Sequence, residues 1–175
     1  MFYCLLLYNC FVNPIVHAWS HEILLGYSKG QEIDQDYDNE GLVFSAKFYK
    51  FSAIDETLIA TIDVTFTNIK ASTKDHDHLT TLALTLAMRG YFLDPSKYHL
   101  RPYIQASFGP VYLFVKQLGT REQGSNFAFQ TSLETGTEMG RWDLNLRILH
   151  FCNAGLAHPN EGINLAPIVS IGYLF

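Results

Sequence analysis

The feature that most constrains this chain is an alternation of apolar and polar side chains that recurs along segments of about ten residues. Side chains point alternately to the two faces of a β-strand, so a period of two predicts strands and not helices. In residues 57–67, with Ile59 as the exception, one face is apolar and the other polar: Leu58, Ala60, Ile62, Val64 and Phe66 against Thr57, Thr61, Asp63, Thr65 and Thr67.

About eight segments carry this signal, and they predict an all-β fold. The segments are residues 22–28, 42–51, 57–67, 79–91, 99–114, 126–138, 142–152 and 165–175. Long polar connections alternate with short ones: 30–41, 68–78, 116–125 and 153–164 against 52–56, 93–98 and 139–141. Outer-membrane barrels combine short periplasmic turns with longer external loops in this way. The pattern therefore predicts an eight-stranded antiparallel transmembrane β-barrel.

The polar face distinguishes a membrane barrel from a soluble one, because a secreted sandwich or a lipocalin-like cup also alternates. Charged residues are only 17% of the chain and hydrophobic residues 48%. The polar face carries small residues and isolated charges such as Lys47, Asp63, Arg89, Glu134 and Arg147, which can pair across a narrow lumen. Strands of this length suit a tilted membrane strand. The sandwich and the cup remain the alternatives, and the bacterial outer membrane is the predicted location.

The start of the chain predicts an export signal. Residues 1–18 form an apolar run that ends in small residues, which is typical of a signal peptide. An uncleaved membrane helix is the alternative, but Pro14 and two asparagines interrupt the run well before the ~20 apolar residues that a span needs. Residues 19–175 are then the barrel domain, with one of the three cysteines.

Charge and motif spacing exclude several partner classes. The net charge is −5 without a basic cluster, so nucleic acid is not predicted as a partner. The segment 74–78 and the acidic stretch 32–40 resemble metal-binding sequences only in composition, and neither has the spacing of a known site. No metal or cofactor is predicted. The oligomeric state stays open, with a homodimer as one option.

The segment 142–152 contains two polar side chains on the apolar face. By parity, His150 and Cys152 share the face of Leu144, Leu146 and Ile148, where an unpartnered imidazole costs on the order of a few kcal/mol. Counting strands from the periplasm places this end at the outer rim, beside the lipopolysaccharide leaflet. An interfacial anchor and a packing cysteine are the ordinary interpretation of such residues.

A family resemblance favours a catalytic interpretation instead. The segment from His150 to Gly155, followed by the segment from Pro159 to Gly162, resembles the C-terminal motif of the lipid A 3-O-deacylases, His-x-Ser-Asn-Ala-Gly and then Pro-Asn-x-Gly-x-Glu. The spacing is the same throughout. Weaker likeness extends through residues 101–103 and 124–129, so the resemblance covers roughly the C-terminal half of the chain.

The resemblance implies an outer-membrane hydrolase that removes the 3-O-linked acyl chain of lipid A. In the family, Ser is the nucleophile, His the base and Glu the residue that orients His, while the Asn and Gly of the motif stabilise the oxyanion. By position, Cys152 replaces Ser and Asn164 replaces Glu, His150 is the base, and Asn153 and Gly155 stabilise the oxyanion.

Two questions about this site stay open from the sequence. Glu161 is an alternative source of the missing carboxylate, and Asn164 is one residue out of step with the outward face unless a bulge near Pro167 corrects its direction. Two further interpretations also remain: a catalytically silent family member with a structural or lipid-binding role, and a porin-like or adhesion barrel with an incidental motif.

Overall fold

The computed structural model describes residues 21–54, 57–93 and 100–175, without the side chains of 49–54. The predicted export signal lies outside these residues and stays a prediction. In the described part of the chain, no helix is long and apolar enough to cross a membrane. The strands there are β1 (Glu22–Gln31), β2 (Asp38–Ile54), β3 (Leu58–Ala71), β4 (His78–Tyr91), β5 (Leu100–Leu113), β6 (Gln117–Leu118), β7 (Arg121–Glu122), β8 (Phe127–Met139), β9 (Trp142–Cys152) and β10 (Ile163–Leu174).

Eight of these strands close into one antiparallel barrel, in the order β1-β10-β9-β8-β5-β4-β3-β2. The predicted all-β, eight-stranded fold is therefore confirmed. β6 and β7 form a separate two-stranded hairpin in the long connection between β5 and β8, which the alternation did not predict because each strand has only two residues. β2 and β3 pair as far as Asn39 and Ala71, beyond the predicted strand ends, because hydrogen-bonded pairing continues where the apolar pattern stops.

The outer wall of the barrel is apolar, the reverse of a soluble protein. The most exposed large side chains on the strands include Leu25, Leu42, Leu86, Phe108, Leu133 and Val169. Their neighbours in sequence point inward and are small, polar or apolar, with Thr85, Ser107, Glu134 and Ser170 among the buried polar ones. A closed barrel with this polarity suits lipid outside, so the secreted sandwich and the lipocalin-like cup are wrong.

The end of the lumen that faces the short turns is filled by charged side chains in contact. Glu134 accepts hydrogen bonds from Arg147 at 2.7 Å, from Lys47 at 3.2 Å and from the Tyr103 hydroxyl at 2.6 Å. Arg89 pairs with several carboxylates, including those of Glu22, Glu138 and Asp143. These side chains occupy the interior at this end, where Glu22, Lys47, Arg89 and Glu138 line a cavity of about 20 Å³.

The end of the lumen that faces the long loops is apolar instead. Its fully buried side chains include Leu79, Leu113, Leu149, Phe151, Ile163 and Leu165. Leu149 and Phe151 fix β9 in this apolar layer. Because successive strand residues point to opposite faces, His150 and Cys152 must lie on the outer wall.

Candidate active site

His150 and Cys152 lie on the lipid-facing wall, at the end of β9 that leads into a long loop. Both are partly buried, while Ile148, one step earlier on the same face, is exposed. On the neighbouring strand β8, Thr131 pairs with His150 and Phe129 pairs with Cys152. The structure therefore confirms the parity argument that placed an imidazole and a thiol on the apolar face.

A β-bulge turns Asn164 onto the same face. The register between β9 and β10 shifts between Leu165 and Ile168, so that β10 uses one more residue than β9 over this stretch. As a result Asn164 lies directly opposite His150, although Val169 and Ile171 set the outward face for the rest of β10. The sequence required a bulge near Pro167 for this alignment, and the structure contains it.

The hydrogen bonds of Asn164 define the tautomer of His150. Asn164 Oδ1 lies 2.8 Å from His150 Nδ1. The amide nitrogen of the same side chain donates to Glu32 Oε1 at 2.9 Å, which orients the amide oxygen towards the imidazole. An amide oxygen only accepts, so Nδ1 carries the proton and donates it. The other ring nitrogen, Nε2, is then the basic one.

The thiol of Cys152 is the only free thiol in the described part of the chain. It lies two residues from His150 on one face, a separation of ~7 Å along a strand. The hydrogen bonds of the described residues include none between these two side chains. Catalytic hydrogen bonds are often longer without substrate and shorten in the complex.

Gly162 lies directly against the His150 imidazole, and its lack of a side chain leaves space for the ring. A Cβ atom at position 162 would clash with His150 Cε1 and lie 3.2 Å from Nε2 and 3.4 Å from Nδ1. The backbone of the loop therefore packs directly against the ring. This contact requires glycine at position 162, since any side chain would displace the imidazole.

Asn153 and Gly155 stabilise the loop that follows β9. The side-chain nitrogen of Asn153 donates to the carbonyls of Ala157 at 2.9 Å and Pro159 at 3.1 Å, and Asn153 Oδ1 accepts from the Gly155 amide at 3.0 Å. Asn153 is fully buried. The donors predicted to stabilise an oxyanion are thus occupied within the loop, and an oxyanion role for either residue stays a prediction that requires this turn to open.

Gln123 joins that loop to the connection after β7. Its Oε1 accepts from the Asn153 amide at 3.1 Å, and its Nε2 donates to the Glu161 carbonyl at 2.6 Å. The Glu161 side chain is exposed and accepts from the Glu122 amide at 2.8 Å. The side chain that accepts the hydrogen bond of His150 Nδ1 is therefore Asn164. The Glu161 side chain instead contacts the backbone of Glu122 and helps to join the two loops.

Two side chains at the site did not follow from the sequence. In the sequence, Glu32 is one of several acids in a predicted surface loop. Gln123 lies outside the strands of the described residues. Both are buried, at 2% and 0% exposure. The types of the residues around Glu32 and Gln123 do not predict that these loop side chains contact segments distant in sequence. Among the described residues, no group of three or more His, Cys, Asp or Glu side chains is placed to hold a metal ion.

Comparison with known proteins supports the fold and gives the family of the chain. The family described as "Lipid A 3-O-deacylase (PagL)" matches residues 48–170. The lipid A deacylase PagL of Pseudomonas aeruginosa is 29% identical over 65 residues, which cover 37% of this chain and 38% of that relative.

Two solved structures share the barrel. The outer membrane enzyme PagL superposes with a TM-score of 0.63 at 18% identity, covering 88% of this chain and 98% of that chain. Neisserial surface protein A gives a TM-score of 0.57 at 13% identity, covering 90% of this chain and 97% of its own. With most of the barrel matched by the family, this chain belongs to the lipid A 3-O-deacylase (PagL) family as an outer-membrane β-barrel.

Proposed function

We propose that this barrel is a thiol-dependent ester hydrolase that removes the 3-O-linked acyl chain from lipid A of lipopolysaccharide. The observation that carries the proposal is the 2.8 Å contact of His150 Nδ1 with Asn164 Oδ1, beside Cys152 on the lipid-facing rim. It leaves Nε2 as the base on the side of the barrel that an outer-leaflet lipid contacts. Membership in the family supports lipid A as the substrate.

The apolar wall beside the thiol suits an acyl chain. Phe129 lies opposite Cys152 across the strand pair and stacks on Phe108 at 5.3 Å between ring centroids. Ile148 continues this surface along β9 towards the membrane centre. The ester would reach the rim while its acyl chain stays against aromatic and aliphatic side chains.

Acyl transfer to Cys152 is the first chemical step. His150 Nε2 accepts the thiol proton, and the thiolate forms a bond to the ester carbonyl carbon. The tetrahedral intermediate collapses with breakage of the bond to the sugar oxygen, which takes its proton from the imidazolium. Asn164 holds the ring by accepting from Nδ1, as Asn does in Cys-His-Asn hydrolases.

Hydrolysis of the thioester is the second step. His150 Nε2 now accepts a proton from water, and the hydroxide attacks the thioester carbonyl carbon. The carbon–sulfur bond breaks, Cys152 regains its proton, and the free fatty acid leaves. Both steps pass through a His150 imidazolium, so a negative charge near His150 would affect the rate of each step.

A catalytically silent barrel is the second candidate. The observation that favours it is the lack of a Cys152–His150 hydrogen bond among the described residues, together with the two replaced motif positions. In that case the rim binds lipid without cleaving it.

Mass spectrometry of lipid A from cells that express the chain separates the two candidates. We expect the loss of one 3-linked hydroxyacyl group with the natural sequence, no loss with Cys152→Ala, and retained or higher activity with Cys152→Ser. A thiol-blocking reagent should inhibit the natural protein and spare the Ser variant. Unchanged lipid A from all folded variants supports the silent barrel, and full activity in Cys152→Ala would make the thiol a packing residue.

A further inference from the structure

Glu32 is a buried carboxylate that lies behind the proposed site. It follows the last residue of β1 and is 2% exposed. Its oxygens accept the side-chain amide of Asn164 at 2.9 Å, the backbone amide of Asn164 at 3.2 and 3.3 Å, and the side-chain amide of Asn39 at 2.5 Å. Asn39 also donates to the Asn164 carbonyl at 3.2 Å. Glu32 is thus joined to the one side chain that contacts His150 Nδ1.

Among the described residues, Glu32 takes part in no ion pair. Most buried carboxylates of the lumen contact Arg or Lys, namely Glu22, Glu134, Glu138 and Asp143. Asp63 is the exception and is hydrogen-bonded to Thr61 and Gln105. A buried charge is costly unless it is paired and hydrogen-bonded. Both Glu32 oxygens accept hydrogen bonds, but no ion pair among the described residues balances their charge.

We propose that Glu32 is a positioning residue that acts through Asn164 and supplies the negative charge that the His150 imidazolium requires. The Glu of the family motif is replaced by Asn164 in this chain, so the carboxylate contacts the imidazole through one amide and not directly. This inference rests on the proposed function, since the imidazolium forms when His150 takes a proton from Cys152 or water.

Two physical features allow the amide to transmit the charge. Asn164 donates to Glu32 and accepts from His150, so a carboxylate polarises the amide and strengthens its oxygen as an acceptor. Burial also reduces screening by water, which makes the attraction between Glu32 and an imidazolium stronger than on a surface. The same bonds hold the Asn164 amide in the orientation that selects the Nδ1–H tautomer.

Among the described residues, Arg121 is a cation near Glu32, and it forms no ion pair with the Glu32 carboxylate. Tyr37, from the same connection, is neutral; burial, followed by the Glu32 carboxylate, raises the pKa of its phenol. Asn39 on β2 and Asn164 on β10 are amides. Arg121 on β7 donates to the carbonyl of Ile33 at 2.6 Å and not to Glu32.

The first test compares Glu32→Gln with the control Asp36→Asn. Asp36 is an exposed acid in the same connection, so its variant removes an equal formal charge away from the site. With purified barrel in detergent and lipid A as substrate, we expect Glu32→Gln to lower kcat at least about tenfold with little change in KM. Asp36→Asn should keep the natural rate.

A second readout needs no substrate turnover. Alkylation of Cys152 by iodoacetamide at pH 6–8 reports how much thiolate this side chain holds, and a nearby imidazolium increases that fraction. Glu32→Gln should slow alkylation about threefold or more relative to Asp36→Asn, because the imidazolium loses its counter-charge.

A charge swap separates this role from simple loop anchoring. The double variant Glu32→Gln with Asn164→Glu returns a carboxylate to the position next to His150, and we expect it to recover kcat and the alkylation rate. A loop anchor would instead be damaged further by the second change. If Glu32→Gln alone does not fold, the double variant is compared with Asp36→Asn instead, by kcat and by the rate of Cys152 alkylation.

The two proposals fail in different ways. Equal kcat and equal alkylation in Glu32→Gln and Asp36→Asn, or a folded double variant without recovery, would overturn the role of Glu32. If no variant cleaves lipid A while alkylation still depends on Glu32 and recovers in the swap, Glu32 acts as proposed and lipid A deacylation is the part that fails.

Discussion

Two groups of buried charged side chains differ in how their charge is balanced. In the lumen, Arg89, Arg147 and Lys47 lie among carboxylates, and Glu134 alone contacts all three cations. At the rim, the hydrogen-bond donors to the Glu32 carboxylate within the described ranges are amides of Asn39 and Asn164.

The difference indicates separate roles for the two groups. Charges that are compensated in the resting state stabilise one arrangement of the barrel and are costly to unpair. In the proposed mechanism, the Glu32 carboxylate balances a positive charge that appears on His150 only during turnover. The lumen therefore determines stability and the rim determines reactivity, and variants of each group should affect one property without the other.

The largest expected effect is on stability, from Arg89→Met. Among the ion pairs of the described residues, Asp143 pairs only with Arg89. Removal of the Arg89 guanidinium leaves the buried Asp143 carboxylate without an ion-pair partner, which should lower the free energy of unfolding by about 3–5 kcal/mol. Urea unfolding in detergent micelles measures this, with heat-modifiable migration as the folding check.

The matched control for that variant is Arg141→Met. Arg141 is exposed and donates only a 3.4 Å hydrogen bond to the Tyr173 hydroxyl, so we expect a change within about 0.5 kcal/mol. The folded fraction of Arg89→Met should keep its deacylation rate. A fall in that rate at unchanged stability would reverse the assignment of roles to lumen and rim.

The next effect is on reactivity, from Gly162→Ala. The added methyl group meets the His150 ring and must displace it from Asn164, and a misplacement of about 1 Å can lower a rate about 100-fold. Stability should change little because the site is at the loop end. Gly90→Ala is the control, since a Cβ atom there meets nothing within 4 Å. Equal rates for the two variants would show that the ring tolerates the shift.

Much of the barrel followed from the sequence because lipid outside and charge inside impose one rule on every strand. Alternation fixed which side chains face the membrane, and it located His150 and Cys152 as exceptions. The sequence also named the condition under which Asn164 shares their face, a bulge near Pro167, and the register of β10 shifts there. Each of these inferences depends only on neighbours in sequence.

The rest of the site depends on contacts between distant segments. Glu32 and Asn164 are 132 residues apart, and Gln123 and Asn153 are 30 apart. Glu32 has the same local surroundings as the exposed Asp34 and Asp36, so nothing nearby marks it as the buried member of the group. Only closure of the barrel between β1 and β10 brings it under His150.

A moderate effect is expected from Gln123→Ala, which removes the contact between two rim loops. Its amide donates to the Glu161 carbonyl and accepts from the Asn153 backbone amide, which also donates to Asn160 Oδ1 at 3.0 Å. The variant therefore loses two hydrogen bonds, each with a net contribution of about 0.5–1.5 kcal/mol. We expect faster hydrogen exchange in residues 153–162 and a deacylation rate about tenfold lower. Gln117→Ala is the control, because Gln117 bonds only within its own hairpin. Unchanged exchange would remove Gln123 from the support of the site.

The smallest effect is expected from Glu161→Gln, and it decides between the two acids near the motif. The Glu161 carboxylate is exposed and accepts from the Glu122 amide, which a glutamine oxygen can also do. Because water screens an exposed charge and Asn164 already occupies His150 Nδ1, we expect the deacylation rate to fall less than about threefold. The same assay on Glu32→Gln provides the comparison. A loss of tenfold or more in Glu161→Gln, with Glu32→Gln near the natural rate, would make the exposed acid the partner of His150 and leave Glu32 as a loop anchor.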